Sequence, residues 1–158
     1  MKRAVPAGRQ GKLIVFEGVS GTGKETQAKL LQKFLQKKRI ISHIVFHPSP
    51  ELKPKLRAAK TVKEEVSLLA DDRSVKVKNV ILPALIRGEW VISLRNYVSA
   101  MVYQGDTGKV KKIDIPPDYL FYFDISPEDA MKRILSRGET LGKFETPKFL
   151  NEKRRKYQ

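Results

Sequence analysis

One segment of this sequence indicates the fold before any other, and it reads Leu13-Ile14-Val15-Phe16-Glu17-Gly18-Val19-Ser20-Gly21-Thr22-Gly23-Lys24-Glu25-Thr26. It begins with an apolar run that ends in an acid, which is typical of a buried strand. A glycine-rich turn of the pattern G-x-x-x-x-G-K follows, and a helical pattern begins at Lys24. This order predicts a P-loop, whose backbone amides and lysine amine contact the phosphates of a nucleoside triphosphate. A glycine-rich turn without a ligand is the alternative, and the placed lysine argues against it.

The loop departs from its pattern at one position, because Glu25 stands where Ser or Thr normally provides a Mg²⁺ ligand. A carboxylate is a suitable ligand for this cation and is favourable in the first turn of a helix. Glu25 therefore either coordinates Mg²⁺ in its own way or points outward and leaves metal binding weaker. Thr26 keeps a hydroxyl one residue later. We expect the donor phosphates to be contacted by Gly18, Val19, Ser20, Gly21, Thr22, Gly23, Lys24, Glu25 and Thr26.

The rest of the chain alternates strand and helix patterns. Apolar runs typical of buried parallel strands lie at 13–17, 44–46, 90–94 and 119–124, and helical patterns lie at 24–36, 64–87 (interrupted at Pro83) and 127–137. Residues 103–118, with Gly, Asp, Thr and two prolines, are expected to form an exposed loop. Such alternation predicts an α/β fold, a three-layer sandwich with a mostly parallel central sheet flanked by helices. We expect a basic N-terminal extension over 1–11 and a single domain over 12–158.

Composition excludes several classes of protein. The chain has 158 residues, 41% of them hydrophobic, which suits one packed domain. It has no cysteine, so a disulfide scaffold and thiol chemistry are excluded. No apolar run approaches the ~20 residues that cross a membrane, and no secretory signal follows the basic start. The net charge of +15 favours polyanionic partners, nucleic acid among them. A solvated basic surface is the favoured interpretation, because no nucleic-acid-binding motif accompanies the charge.

Several separated segments, taken in order, resemble the thymidylate kinase family over residues 12 to about 157. They are Phe16-Glu17-Gly18 through Gln27, Leu68-Leu69-Ala70-Asp71-Asp72-Arg73, Leu82 through Val91, Tyr103-Gln104-Gly105, Pro117 through Asp124, and Pro127-Glu128 to Arg137-Gly138. The resemblance implies transfer of the γ-phosphoryl group of ATP to the 5′-phosphate of dTMP, giving dTDP, with Mg²⁺ as cofactor. It also implies a P-loop kinase fold.

The resemblance further implies roles for individual residues. Lys24 would hold the donor phosphates and Arg95 would bridge the acceptor phosphate, and these two are the expected catalytic residues. The remaining expected substrate-binding residues are Arg73, Leu69, Ser99 and Gln104. Arg133, Arg137 and Lys143 fall at the family's mobile lid, about 137–146 here, whose cations close over ATP. From the residues alone, Arg73 also fits an ordinary surface helix, and Arg133 and Arg137 also fit pairing with acids such as Asp129.

The chain departs from the family at positions that bear on catalysis. Leu94-Arg95-Asn96 stands where the family has Asp-Arg-Tyr, so an acid that organises Mg²⁺ is missing. Ser20 replaces the usual acid of the loop, and Leu69 replaces an aromatic residue that stacks on the base. The segment after the second strand, 47–51, lacks the family's arginine. Because an acid is lost at Leu94 and gained at Glu25, we hypothesise that Glu25 replaces the missing metal ligand.

The leading interpretation is therefore a cytoplasmic, ATP- and Mg²⁺-dependent thymidylate kinase that acts on small nucleotides and forms a homodimer. Two alternatives stay open: a kinase for another nucleoside monophosphate, and an ATP-binding P-loop protein without catalysis. Family members continue beyond the position of Gln158 with a further strand and helix, so we expect an unpaired sheet edge here.

Overall fold

The computed structural model describes residues 10–105, 108–136, 138 and 145–158. The strands are β1 (Leu13–Glu17), β2 (Ser42–Phe46), β3 (Trp90–Leu94) and β4 (Tyr119–Tyr122). The α-helices are α1 (Lys24–Lys37), α2 (Lys53–Ala58), α3 (Val62–Lys76), α4 (Leu82–Ile86), α5 (Tyr97–Gln104), α6 (Lys109–Ile113), α7 (Pro127–Leu135) and α8 (Pro147–Tyr157). A 3₁₀ turn at Pro50–Leu52 precedes α2, and a π-helical turn at Val77–Ile81 joins α3 to α4.

The four strands form one parallel sheet in the order β2-β3-β1-β4. The two central strands are β1 and β3. Nearly every residue in them is buried, because the helices that connect parallel strands cover both faces of the sheet. All the strands end at the same edge, which is where open α/β sheets bind ligands. The predicted α/β fold with a parallel sheet flanked by helices is confirmed.

Alternate strand residues pack on opposite faces of the sheet, and this produces the layers. On one face, Leu13, Val15 and Val91 contact the segment from the π turn to α4. On the other face, Ile14, Phe16 and Ile92 contact α1 through Ala28 and Leu35. The strands thus carry two apolar faces, and each is covered by helices.

The helical pattern predicted over 64–87, with an interruption at Pro83, is divided in the structure into α3, a π turn and α4. Pro83 lies at the start of α4 and has no N–H to donate, and its ring would clash with the preceding turn of a regular helix. The wider π turn immediately before it accommodates the ring.

The exposed loop predicted over 103–118 is wrong. Tyr103 and Gln104 end α5, and 109–113 form α6. Val110 is fully buried against α3 and α5, and Ile115 is buried in the main core. The glycine, threonine and proline residues of this segment indicate a loop locally. The helix is instead stabilised by contacts with residues distant in the sequence, which a local pattern does not show.

Residues 1–9 of the expected N-terminal extension lie outside the described residues, whereas Gln10 and Gly11 donate backbone hydrogen bonds to the Leu85 carbonyl. Among the helices that the structure describes, none combines the length and apolar character needed to cross a membrane.

Candidate functional site

A cleft of about 450 Å³ opens at the carboxyl ends of the strands. The P-loop forms one side of it, and the end of β2, α2, α3 and α5 form the other. Its wall is built from Ser20, Gly21, Gly23, Lys24, Glu25, Phe46, His47, Pro48, Lys53, Leu56, Arg57, Leu69, Leu94, Arg95, Ser99, Ala100, Tyr103, Gln104 and Glu145. A volume of this size suits a small-molecule ligand.

The P-loop passes close to other backbone segments, and this explains two of its glycines. A Cβ on Gly18 would lie 2.5 Å from the Phe123 carbonyl oxygen, and one on Gly21 would lie 2.5 Å from the Ala130 carbonyl oxygen. Both residues also have positive φ, 138° and 81°. The loop is therefore held between the end of β4 and α7.

Lys24 and Arg133 bring positive charge to the loop. The Lys24 amine donates to the Val19 carbonyl at 2.6 Å and to the Thr22 hydroxyl at 2.9 Å, so it lies over the loop itself. From α7, the Arg133 guanidinium reaches the loop, 3.7 Å from where a Cβ on Gly23 would be. The other two lid cations, Arg137 and Lys143, lie outside the described residues.

Glu25 lines the cleft with an exposed carboxylate that forms an ion pair with Lys29 at 2.9 Å. Thr26 is exposed on the same turn of α1. In the part of the chain that the structure describes, no group of three or more His, Asp or Glu residues could hold a metal ion. The carboxylate of Glu25 offers oxygen ligands of the kind that Mg²⁺ prefers, so this residue fits such an ion.

Arg95 follows β3 directly and has an unusual backbone, with φ of 74°. Its guanidinium donates to the hydroxyls of Ser99 (3.2 Å), Tyr157 (3.4 Å) and Tyr103 (3.3 Å), and it lies 4.8 Å from the Tyr103 ring centre. Burial alone would lower its pKa, but the oxygens of Tyr103, Tyr157 and Glu17 raise it. Within the described ranges no carboxylate forms an ion pair with Arg95, so its charge is available to a ligand.

Arg73 has a different environment, although the resemblance implied a similar role. It is fully buried, and it donates to the Asp114 carboxylate at 2.6 and 2.9 Å and to the Ser93 hydroxyl at 3.0 Å. It is not among the residues of the cleft wall. Its charge is neutralised inside the protein, in an ion pair that joins α3 to the segment after α6.

The expected base-binding residues Leu69, Ser99 and Gln104 all lie in the cleft wall. Leu69 presents an apolar surface, and the Gln104 amide donates to the Glu65 carboxylate at 3.1 Å. The structure thus brings these three residues together with Arg95 and Lys24 and separates them from Arg73.

Two cations of the cleft wall, Lys53 and Arg57, were not predicted from the sequence. They lie four residues apart on α2, a spacing that places side chains on one face of a helix. Two cations four residues apart, in the first helix after a predicted strand, are the signal that could have identified Lys53 and Arg57. They add positive charge opposite the P-loop.

A pair formed by the buried His47 and the partly buried Asp72 lies at the cleft wall next to α2. The His47 Nδ1 lies 3.1 Å from an Asp72 oxygen that also accepts from the Ser49 amide, and the buried Nε2 has no hydrogen-bond partner within the described structure. Burial lowers the pKa of His47 despite the hydrogen bond with Asp72. For Asp72, burial is outweighed by hydrogen bonds from His47 and Ser49, which lower its pKa to about 2.

Comparisons with known proteins show which proteins this chain is similar to. The family model for thymidylate kinase matches residues 16–158. A thymidylate kinase from Akkermansia muciniphila is 38% identical over 145 residues, covering 83% of this chain and 70% of that protein. Thymidylate kinases from Buchnera aphidicola (32% identical, 94% of this chain and 81% of that protein) and Desulfotalea psychrophila (35% identical, 90% and 78%) are also similar.

Proposed function

Since this chain belongs to the thymidylate kinase family, we propose that it is a phosphotransferase that moves the γ-phosphoryl group of ATP to the 5′-phosphate of dTMP and releases dTDP and ADP. The observation that carries the proposal is the pairing of a P-loop lysine with an arginine that no carboxylate in the described structure neutralises, in the walls of one cleft. Two polyanions must be brought together for this reaction, and the cleft has cations on both sides.

The chemistry requires positioning and charge stabilisation more than covalent assistance. We propose that the loop amides and Lys24 hold the donor phosphates and that Arg95 binds the acceptor phosphate, in line with the bond that breaks. Charge that moves to the transferred oxygens would be stabilised by Lys24 and Arg133 from the donor side. Lys53 and Arg57 would support Arg95 on the acceptor side. Arg137 and Lys143 are proposed to close over ATP.

We further propose Mg²⁺ as cofactor and Glu25 as its protein ligand. When bound, Mg²⁺ would help to neutralise the negative charge that develops during transfer. The part of Glu25 would be to place a carboxylate at the start of α1, beside the phosphates. Leu69, Ser99 and Gln104 are proposed to bind the base, and Arg73 is proposed to act through the wall that it supports. The homodimer and the cytoplasmic location stay predictions.

The test is a coupled assay of ADP release with ATP, with and without Mg²⁺, in which dTMP, dUMP, CMP, AMP and GMP are offered in turn. We expect Mg²⁺-dependent turnover that is selective for dTMP. A Lys24→Ala variant purified in the same way is the control, because it reports any kinase carried over from the expression host.

Two other outcomes would contradict the proposal in different ways. Turnover with a different acceptor would mean that the base pocket selects another nucleotide. Calorimetric binding of ATP without ADP release for any acceptor would mean that the P-loop binds a nucleotide in a protein without transferase activity.

A further inference from the structure

We propose that Tyr157, near the end of α8, is a positioning residue whose hydroxyl orients the Arg95 guanidinium toward the acceptor phosphate. The inference rests on the proposed function, since it assigns the acceptor phosphate to Arg95. It extends that function to a helix that does not line the cleft. Arg95 and Tyr157 are separated by 62 residues in the sequence, so no local pattern connects them.

The Tyr157 hydroxyl lies at the centre of a buried polar cluster. Its oxygen is 2.9 Å from Glu17 Oε2, 2.9 Å from Ser99 Oγ and 3.4 Å from Arg95 Nη1. The Ser99 hydroxyl also donates to Glu17 Oε2, at 2.6 Å. The other Glu17 oxygen accepts from the backbone amides of Asn96 and Ser99, at 2.8 and 3.3 Å. Four donors thus surround one carboxylate at the end of β1.

The Glu17 carboxylate can only accept hydrogen bonds, so it favours hydroxyl hydrogens that are directed toward it. A hydroxyl has one hydrogen and two lone pairs. Burial raises the pKa of Tyr157, so its phenol keeps its hydrogen at neutral pH. With the hydrogens of Ser99 and Tyr157 directed at Glu17 Oε2, the lone pairs of both oxygens face Arg95 Nη1. The carboxylate of Glu17 thereby orients two neutral acceptors toward the guanidinium without contacting it.

Neutral acceptors are what a phosphate-binding arginine requires. A carboxylate in direct contact would hold Arg95 as firmly, but it would neutralise the charge, as Asp114 does for Arg73. Hydroxyls fix the direction of the guanidinium and leave its charge for the ligand. The Tyr157 ring is itself held by stacking on Tyr122, with ring centres 5.1 Å apart and planes at 27°.

The neighbouring Tyr122 provides a matched control. The two rings stack on each other, but the Tyr122 hydroxyl has other neighbours: it lies 3.2 Å from Asp124 Oδ1 and 3.4 Å from the Arg154 carbonyl oxygen, either of which can accept its one hydrogen. Tyr157→Phe and Tyr122→Phe each remove one hydroxyl and keep the stacked pair. Only the first removes an oxygen beside Arg95.

We expect Tyr157→Phe to raise the KM for dTMP and the calorimetric Kd for dTMP about 10- to 100-fold, as loss of one hydrogen bond to a charged group does. The KM for ATP should stay within about twofold, because the P-loop is unchanged. Tyr122→Phe should leave both KM values within about twofold. In an Arg95→Ala background, Tyr157→Phe should have no further effect on dTMP binding, since a positioning residue acts only through its target.

The possible failures are distinguishable. An unchanged dTMP Kd in Tyr157→Phe overturns the positioning role and leaves the proposed kinase function in place. Equal losses in the two single variants, or a further loss in the Arg95→Ala background, also overturn it, because they would mark a packing effect. A wild-type chain that neither binds nor phosphorylates dTMP overturns the proposed function and this inference with it.

Discussion

Arg73 and Arg95 show how the hydrogen-bond acceptors around an arginine determine whether its charge is neutralised within the protein. Arg73 is fully buried near the end of α3, and Arg95 is half-buried directly after β3. Arg73 forms an ion pair with the fully buried Asp114, whereas Arg95 contacts three hydroxyls. The first arginine thus has a carboxylate partner inside the protein, whereas no carboxylate among the described residues forms an ion pair with the second.

Replacement of these arginines should separate stability from activity. We expect Arg73→Ala to lower the free energy of unfolding by about 3–5 kcal/mol, because Asp114 would be left as an uncompensated buried charge. Arg95→Ala should cost much less stability and abolish turnover at any practical dTMP concentration. Urea denaturation and the coupled assay measure the two effects. A stable Arg73→Ala protein with a selective loss of dTMP binding would instead mean that Arg73 reaches the substrate.

Glu25 can be tested through its ion pair with Lys29. If Glu25 is the Mg²⁺ ligand, Glu25→Ser should abolish Mg²⁺-dependent turnover while ATP still binds. Lys29→Ala is the matched control, since it removes the competing cation and should leave the Mg²⁺ requirement unchanged or shift half-saturation to lower Mg²⁺. A Mg²⁺ titration of turnover with calorimetry of ATP gives both results. Unchanged turnover in Glu25→Ser would show that the carboxylate only points outward.

At the scale of elements, local sequence predicted the strands and the P-loop but missed the helices α6 and α8. Apolar runs such as 90–94 are unambiguous, because a strand buried on both faces tolerates few polar residues. α6 has lysines at 109, 111 and 112, and its helical state depends on Val110, which packs against α3 and α5. α8 likewise looks like a basic tail until Leu150 is seen to pack against α7. No short-range pattern encodes such contacts.

The same limit applies to the candidate site. The glycines and Lys24 could be predicted because a phosphate loop requires them at fixed spacing. The environment of Arg73, the α2 cations Lys53 and Arg57, and the contact of Tyr157 with Arg95 all depend on how distant elements pack. These features could be found only once the elements were placed.

Val110 provides the test of α6 as a packed element. We expect Val110→Ala to lower the free energy of unfolding by about 2 kcal/mol, from two buried methyl groups at about 0.8 kcal/mol each and the space that they leave. Val75→Ala on α3 is the control, because Val75 is 58% exposed and should change the value by less than about 0.5 kcal/mol. Equal effects in urea denaturation would contradict the packing of α6.

At the scale of the whole molecule, several of the chain's acids are used inside the fold. Several carboxylates accept hydrogen bonds from backbone amides at the ends of elements: Glu17 from Asn96, Asp72 from Ser49, Asp114 from Tyr97 and Asp118 from Leu13. Acids used in this way bind the fold together and contribute little negative charge to the surface. The net charge of +15 therefore attracts polyanions toward a cleft that is itself lined by cations.

The same internal use of acids, together with His47, predicts how stability depends on pH. The pKa of His47 is lowered in the folded protein, so the unfolded chain binds the proton more tightly. The free energy of unfolding should be highest above about pH 6.5 and should fall on acidification, by at most about 1.4 kcal/mol per pH unit for this one group. Asp72, with a pKa of about 2 instead of 3.8, adds a second loss as the pH falls from about 4 toward 2.

Urea denaturation at pH 7.5, 6.5, 5.5 and 4.5 measures this dependence, and His47→Gln identifies its source. The variant should be less stable at pH 7.5, and its free energy of unfolding should fall less steeply between pH 6.5 and 4.5 than that of the wild-type protein. An NMR titration of the wild-type His47 ring gives a second measurement, because it should protonate well below pH 6.5. A His47 pKa at or above 6.5, or equal slopes in the two proteins, would mean that the buried imidazole does not control acid stability.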